Sequence, residues 1–222
     1  TAIITIRNMD KEIYVLGIGR NSITMIDLAE DCGYRIAGLL HYNHDCIGEH
    51  YFDYRIDGCF EDLFVANSIK GKNFLITMGD ISIRETLFNR IVDYGGSVPS
   101  LIHPSAVVSR HAQIGSGVLV MPQSVVQADV KVGDNSVLTL SSQLTHSSVV
   151  GDHCFISGHS LVGAYVNMGD RVWIGQGAVI VSGEVSSIGN DAIIGAGSVL
   201  RTNAKPNCVY LGNPARLVRV RE

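Results

Sequence analysis

Through the second half of the chain an aliphatic residue recurs at every sixth position. From Ile102 the series runs through Val108, Ile114, Val120, Val126, Val132, Leu138, Leu144, Val150, Ile156, Val162, Met168, Ile174 and Ile180. Neither a helix (3.6 residues per turn) nor a simple strand (period 2) produces that register. The positions two before are mostly small: Ala106, Ala112, Ser124, Ser136, Ser142, Ser148, Cys154, Ser160 and Ala178. Glycine often follows the aliphatic residue, as at Gly115, Gly133, Gly151, Gly169 and Gly175. A three-sided prism accounts for the pattern. Three short strands per coil each turn one large side chain inward, and tight corners call for small residues or residues with φ > 0. Stacked coils then share one aliphatic core, each touching only its neighbours. After Ile180 the register slips by two residues and resumes at Ile188, Ile194 and Leu200, which predicts a small outward loop at VSGEVSS, residues 181–187.

Residues 12–98 carry different periods. An apolar run, Ile13 to Leu16, predicts a strand ending in the glycine-rich turn GIGRNS. A helix follows from Ile23 to Asp31, apolar at Ile23, Ile26, Leu28 and Ala29, and closes near Gly33. RIAGLL reads as a second strand ending at His41-Tyr42, NFLITMGD (73–80) as a third, and IRETLFNRIVDYG as a helix stopped by Gly95-Gly96. Strand–turn–helix–strand units imply a small parallel sheet with helices packed on it. Such sheets bind ligands at the carboxyl ends of their strands, where the GIGRNS turn, His41-Tyr42 and Met78-Gly79-Asp80 would all lie. The expected organisation is an α/β Rossmann-like domain over 1–98 and an all-β parallel helix over 99–222.

Composition narrows the chemistry. Hydrophobic residues make up 46% of the 222, enough for a well-buried core. A net charge of −4 and a pI near 6.0 give no basic patch for nucleic acid. No apolar run approaches the ~20 residues of a membrane span, and TAIITIRN has no signal-peptide character. Cys32, Cys46, Cys59, Cys154 and Cys208 are odd in number and scattered, which reads as buried reduced thiols in a cytoplasmic protein.

Gly17-Ile18-Gly19 follows a strand and opens a helix, as a phosphate-cradling turn does. The third glycine of the dinucleotide fingerprint is replaced by Ser22, and His41 stands where an acidic ribose ligand would end the second strand. The turn therefore reads as a site for part of a nucleotide rather than for NAD. His146, His153 and His159 are separated by seven and six residues. Those steps place them on successive faces of a prism, so they do not converge on a metal. At the C-terminus LGNPARLVRV is either a proline-stiffened turn into a last strand or part of a cofactor site.

Together IYVLGIG with its helix, GYRIAGLL, ITMGD with Ile83-Arg84, LIHPSAVVS, THSSVVGDH and GNPAR resemble the hexapeptide-repeat sugar acetyltransferases. The resemblance is to the bacillosamine-pathway nucleotide-sugar N-acetyltransferases and the sialic acid O-acetyltransferases, and it covers nearly the whole chain. It implies a left-handed parallel β-helix, a homotrimer, acetyl-CoA as co-substrate in the groove between neighbouring prisms, and no metal. It implies that His146 is the general base, with the Ala164 N–H holding the oxyanion. Acetyl-CoA contacts would fall on Phe155, Ala164, Gln176 and Ala196. The nucleotide sugar would lie on Gly19, Arg20, Asn21, His41, Tyr42 and Gly79. Three positions depart from the family. Thr145 and Ser147 flank His146 where an acidic residue is usual, His41-Tyr42 stands where Asp-Asp is frequent, and Phe155 replaces a histidine expected near the thioester sulfur. The expected reaction is N-acetylation of a nucleotide-linked amino-deoxy sugar for surface polysaccharide or glycan synthesis. The alternatives are O-acetylation of a sugar or sialic acid, and a non-catalytic β-helix scaffold.

Overall fold

The computed structural model describes residues 11–19, 21–65 and 68–221, so Arg20 lies outside the described residues. The chain forms two compact units, Thr1–Pro99 and Ser100–Glu222.

The first unit is a five-stranded sheet flanked by helices. Its elements are β1 (Lys11–Leu16), α1 (Ser22–Asp31), β2 (Tyr34–His41), β3 (His50–Tyr51), β4 (Tyr54–Cys59), α2 (Phe60–Val65), β5 (Phe74–Ile76) and α3 (Ile81–Asp93). The order is β3-β4-β2-β1-β5, with β4, β2, β1 and β5 parallel and β3 antiparallel at the edge. Ile13, Val15 and Leu16 of β1 and Leu39-Leu40 of β2 are buried because the central strands are covered on both faces. The helix core stripe is Met25, Ile26, Leu28 and Ala29; Ile23, expected in it, is only half-buried. The third strand is shorter than its apolar pattern suggests. Asp80 accepts from the amides of Ser82 and Ile83 as the N-cap of α3, so the chain leaves the sheet before Met78. The β3–β4 hairpin and α2 have no counterpart in the sequence reading, since their short runs show no sustained period.

The second unit is a left-handed parallel β-helix, an exception to the right-handed crossover rule. Two-residue strands recur every six residues, and each strand pairs with its equivalents in the coils above and below. The second residue of each pair turns inward: from Val120 to Leu200 these side chains are essentially inaccessible. Each contributes on the order of 1.5–3 kcal/mol of burial. Ile102, at the open first coil, is 37% exposed, so the period begins before the core does. Around one coil the outward residues define three faces. An aromatic face carries Phe155, Trp173 and Ile193, and an aliphatic face carries Val107, Val125, Gln143, Leu161, Val179 and Val199. A polar face carries Gln113, Lys131, Val149, Asn167 and Ser187.

Corner conformation falls three residues before each inward aliphatic, at Gln123, Asp129, Asn135, Ser141, Ser147, His153, His159, Tyr165 and Arg171, all with φ near +60°. The glycines that follow the aliphatic positions are therefore not corner residues. A Cβ on Gly151 would lie 2.6 Å from the carbonyl carbon of Gly169 and against Asp170, so glycine there lets one coil approach the next. The same column carries a ladder of acceptors. Asp134, Asp152, Asp170 and Asn190 accept the amides of Ser116, Asp134, Asp152 and Asp170, one coil earlier, at 2.7–3.1 Å. The two-residue slip lengthens the coil spacing from 18 to 20 residues. The loop projects Glu184, which pairs with Arg201, but returns Val185 to the core, so it is not outward throughout. The chain ends in an antiparallel hairpin, Cys208–Gly212 with Ala215–Val220, turning at Asn213-Pro214.

Candidate active site

Parallel pairing brings the ends of β1, β2 and β5 to one edge of the α/β unit, so Gly17–Gly19, His41-Tyr42 and Met78-Gly79 share that edge. Ser22 is fully buried and closes the turn. Its hydroxyl accepts the Gly19 amide at 2.8 Å and lies 2.8 Å from Thr77 Oγ1, which donates to the Gly17 carbonyl. A third glycine would leave this turn open. Instead the Gly19 amide is engaged inside the protein. Gly17 is at φ +80°, and a Cβ there would meet Met78; around Gly19 a Cβ would find no heavy atom within 4 Å. The space expected for ligand thus opens over Gly19 and not over Gly17.

Two residues at this edge escaped sequence reasoning. Tyr51, from the β3–β4 hairpin, donates its hydroxyl to the Gly19 carbonyl at 2.8 Å and accepts the Ile23 amide at 3.1 Å, clamping the start of α1. Arg84 is buried beneath the β5 end and donates to the carbonyls of Ile76 and Met78. Burial pulls its guanidinium down to about 10, still charged at neutral pH. ITMGD with Ile83-Arg84 was the only signal that could have flagged it. His41 is buried, its Nδ1 accepting the Asn43 amide at 3.0 Å, whereas the Tyr42 ring beside it is 60% exposed. Of the two, Tyr42 is the one that can reach a ligand. Asn21 is exposed and its side chain does not cap α1.

On the β-helix the three histidines occupy three successive corners: His146 between the aliphatic and polar faces, His153 between polar and aromatic, and His159 between aromatic and aliphatic. His153 Nδ1 lies 3.0 Å from Asn135 Nδ2. His146 is exposed, its amide donates to Gln127 Oε1 at 3.0 Å, and its ring meets Tyr165 edge-on at 5.2 Å. Thr145 is committed elsewhere, donating to the Val162 carbonyl at 2.8 Å. Ala164 shares the His146 column one coil later, but its N–H donates to Ser182 Oγ at 2.8 Å. The expected use of that amide for an oxyanion is therefore contradicted: the hydroxyl already holds it. Gln176 and Ala196 stack in the aromatic–aliphatic corner with His159, joined by Gly197 N to Gln176 O at 2.8 Å. Phe155 lies on the aromatic face, stacked on Trp173 at 4.4 Å and 13°. One prism therefore brings His146 together with Ala164, and Gln176 with Ala196, but the aliphatic face separates the two columns.

No family model matches the chain. GDP-perosamine N-acetyltransferase of Escherichia coli O157:H7 is 30% identical over 151 residues, covering 65% of this chain and 67% of that protein. The chain belongs to the hexapeptide-repeat sugar acetyltransferases. This acetyltransferase is accordingly an acyltransferase by both sequence and fold. Perosamine N-acetyltransferase from Caulobacter crescentus, solved as a histidine variant with CoA and GDP-perosamine, superposes at a TM-score of 0.85 with 25% identity, covering 95% of this chain and 98% of that one. The acetyltransferase domain of PglB from Neisseria gonorrhoeae, 24% identical, shares the fold at a TM-score of 0.84 over 94% of this chain and 100% of that one.

Proposed function

We propose that this protein transfers acetyl from acetyl-CoA to the amino group of a nucleotide-linked amino-deoxy sugar. One observation carries the reading: the likeness to a perosamine N-acetyltransferase holding CoA and GDP-perosamine extends over both units, not over the β-helix alone. The α/β edge would take the nucleotide through Gly19, Arg20, Asn21, Tyr42 and Gly79, with His41 fixing the strand end. The β-helix would take acetyl-CoA through Phe155, Ala164, Gln176 and Ala196.

His146 would accept the amine proton as nitrogen attacks the thioester carbonyl. The C–N bond forms, the C–S bond breaks, and the proton held by the imidazole passes to the departing CoA thiolate. Such a base contributes on the order of 10²–10⁴-fold. A neutral amine is nucleophilic enough that no acyl-enzyme is required. Among the described residues the exposed His146 imidazole has no carboxylate partner, which suits an amine better than a hydroxyl and favours N- over O-acetylation. Solved perosamine N-acetyltransferases with asparagine or alanine in place of a histidine each carry CoA and GDP-perosamine, so in those proteins both ligands bind without it, as a base that is not a binding group allows.

The reading includes a homotrimer, and the face chemistry supports the burial of one face against another copy. The aliphatic face exposes Val107 and carries half-buried Val125, Leu161, Val179 and Val199, while the next face is polar. Covering the aliphatic face with a second copy buries it and sets one chain's His146 column beside another chain's surface, which completes the two half-sites separated in one prism. Activity would then require the assembly, in a cytoplasmic setting where nucleotide sugars and acetyl-CoA are made.

The test is a panel of GDP-, UDP- and dTDP-linked amino sugars with acetyl-CoA, reading thiol release. Turnover of GDP-perosamine above the other acceptors is the expected result. Thiol release only with free sugars or sialic acid would select the O-acetyl reading, and none with any acceptor would leave a scaffold.

A further inference from the structure

We propose that Tyr165 is the positioning residue for the His146 imidazole, occupying the role that an acidic neighbour plays elsewhere in the family. The inference rests on His146 being the base, and it goes beyond that reading by naming what holds the ring. Among the described residues, the ring contact of His146 is with Tyr165, whose ring lies at 87° with centroids 5.2 Å apart. The backbone ties the two residues as well, the Tyr165 amide donating to the His146 carbonyl at 3.4 Å. Of the two residues flanking His146, Thr145 is committed elsewhere: its Oγ1 donates to Val162 O at 2.8 Å and its carbonyl accepts from Ser148 Oγ at 2.8 Å.

Position 165 is otherwise ill-suited to tyrosine. Its φ is +62°, and the equivalent corner positions in the same column are Asp129, Ser147 and Gly183, small or polar residues that accept a left-handed backbone more readily. Tyr165 is 69% exposed, so core packing does not explain it. A bulky aromatic held in an unfavourable backbone region and left in water points to a role at the surface. Its aromatic partner among the described residues is the one that would carry the proton. An edge-to-face pair fixes the plane of an imidazole without adding charge. His146 then keeps its aim at the acceptor amine while Gln127 anchors its backbone from the coil before.

The experiment compares Tyr165→Asn, which suits the left-handed corner and removes the ring, with Tyr165→Phe, which keeps the ring and removes the hydroxyl. Steady-state kinetics are run against both substrates, with acetyl-CoA affinity measured by calorimetry. The expected result for Tyr165→Asn is a fall of about three- to tenfold in kcat, with KM and affinity for acetyl-CoA unchanged and thermal stability equal or higher. Tyr165→Phe should recover most of the lost rate. Wild-type kcat in Tyr165→Asn overturns the proposal, and so does equal loss in both variants, which would place the role on the hydroxyl. His146→Gln separates this failure from failure of the base assignment. An active His146→Gln removes the base itself, whereas an inactive one alongside an unimpaired Tyr165→Asn removes only the positioning.

Discussion

Gly17 and Gly151 follow apolar strands in the two units, yet different constraints hold them. Gly17 has φ +80° and faces Met78, so it sets the direction in which one turn leaves its strand. Gly151 has ordinary φ and faces the backbone of Gly169, so it sets how closely two coils stack. In the α/β unit a glycine of this kind serves a single turn, at a place fixed by the sheet order. The β-helix repeats the device down a column, together with the acceptors Asp134, Asp152, Asp170 and Asn190. A repeated fold spreads its specification over every coil; a sheet of unequal strands concentrates it at a few junctions. The expected chemistry divides the same way, the acetyl donor on the repeated surface and the acceptor at the unrepeated turn.

The largest effect that would sharpen this division is on turnover. His146→Ala should lower kcat by at least ~10²-fold while leaving acetyl-CoA affinity intact. A variant keeping more than about a tenth of the rate would move the base elsewhere, and His159 would be examined next. On the stability side, Gly151→Ala should destabilise the β-helix by about 1–3 kcal/mol, because the added methyl meets backbone that cannot step aside. An unchanged melting temperature would show that the coils give way more easily than their stacking implies.

At the acceptor edge, Gly19→Val should fit the fold, since a Cβ there meets nothing within 4 Å. Nucleotide-sugar affinity should nevertheless fall about tenfold or more, with acetyl-CoA affinity unchanged; calorimetry showing equal nucleotide binding would make the α/β unit a structural cap. Tyr51→Phe loosens the same turn and should weaken nucleotide binding a few-fold, in line with ~1 kcal/mol for lost hydrogen bonds. The smallest effect is expected at α3. Asp80→Ala removes an N-cap and should cost ~0.5–2 kcal/mol. The bond from the Ser82 hydroxyl, then the backbone amide of Ile83, holds the Asp80 carboxyl below its ordinary 3.8. Its stabilisation is thus full above that value and fades as pH falls through the lower folded value. The wild-type advantage over Asp80→Ala should shrink on acidification, and a difference constant down to pH 2 would remove the assignment.

The β-helix was legible because its order is local: one aliphatic side chain every six residues supplies each face, whatever lies farther along the chain. The three strands and two helices of the α/β unit were legible from their periods and glycine stops for the same reason. His146, Phe155, Gln176 and Ala196 came from motif resemblance, which finds residue types at set spacings but not what those residues touch. Only the tertiary structure paired His146 with Tyr165, committed the Ala164 amide to Ser182, and brought Tyr51 onto the turn at Gly19. Those contacts join residues 18–32 positions apart, and no local preference encodes them. They exist because the coil length sets which corner lies over which, and because sheet order carries the β3–β4 hairpin back to the start of α1.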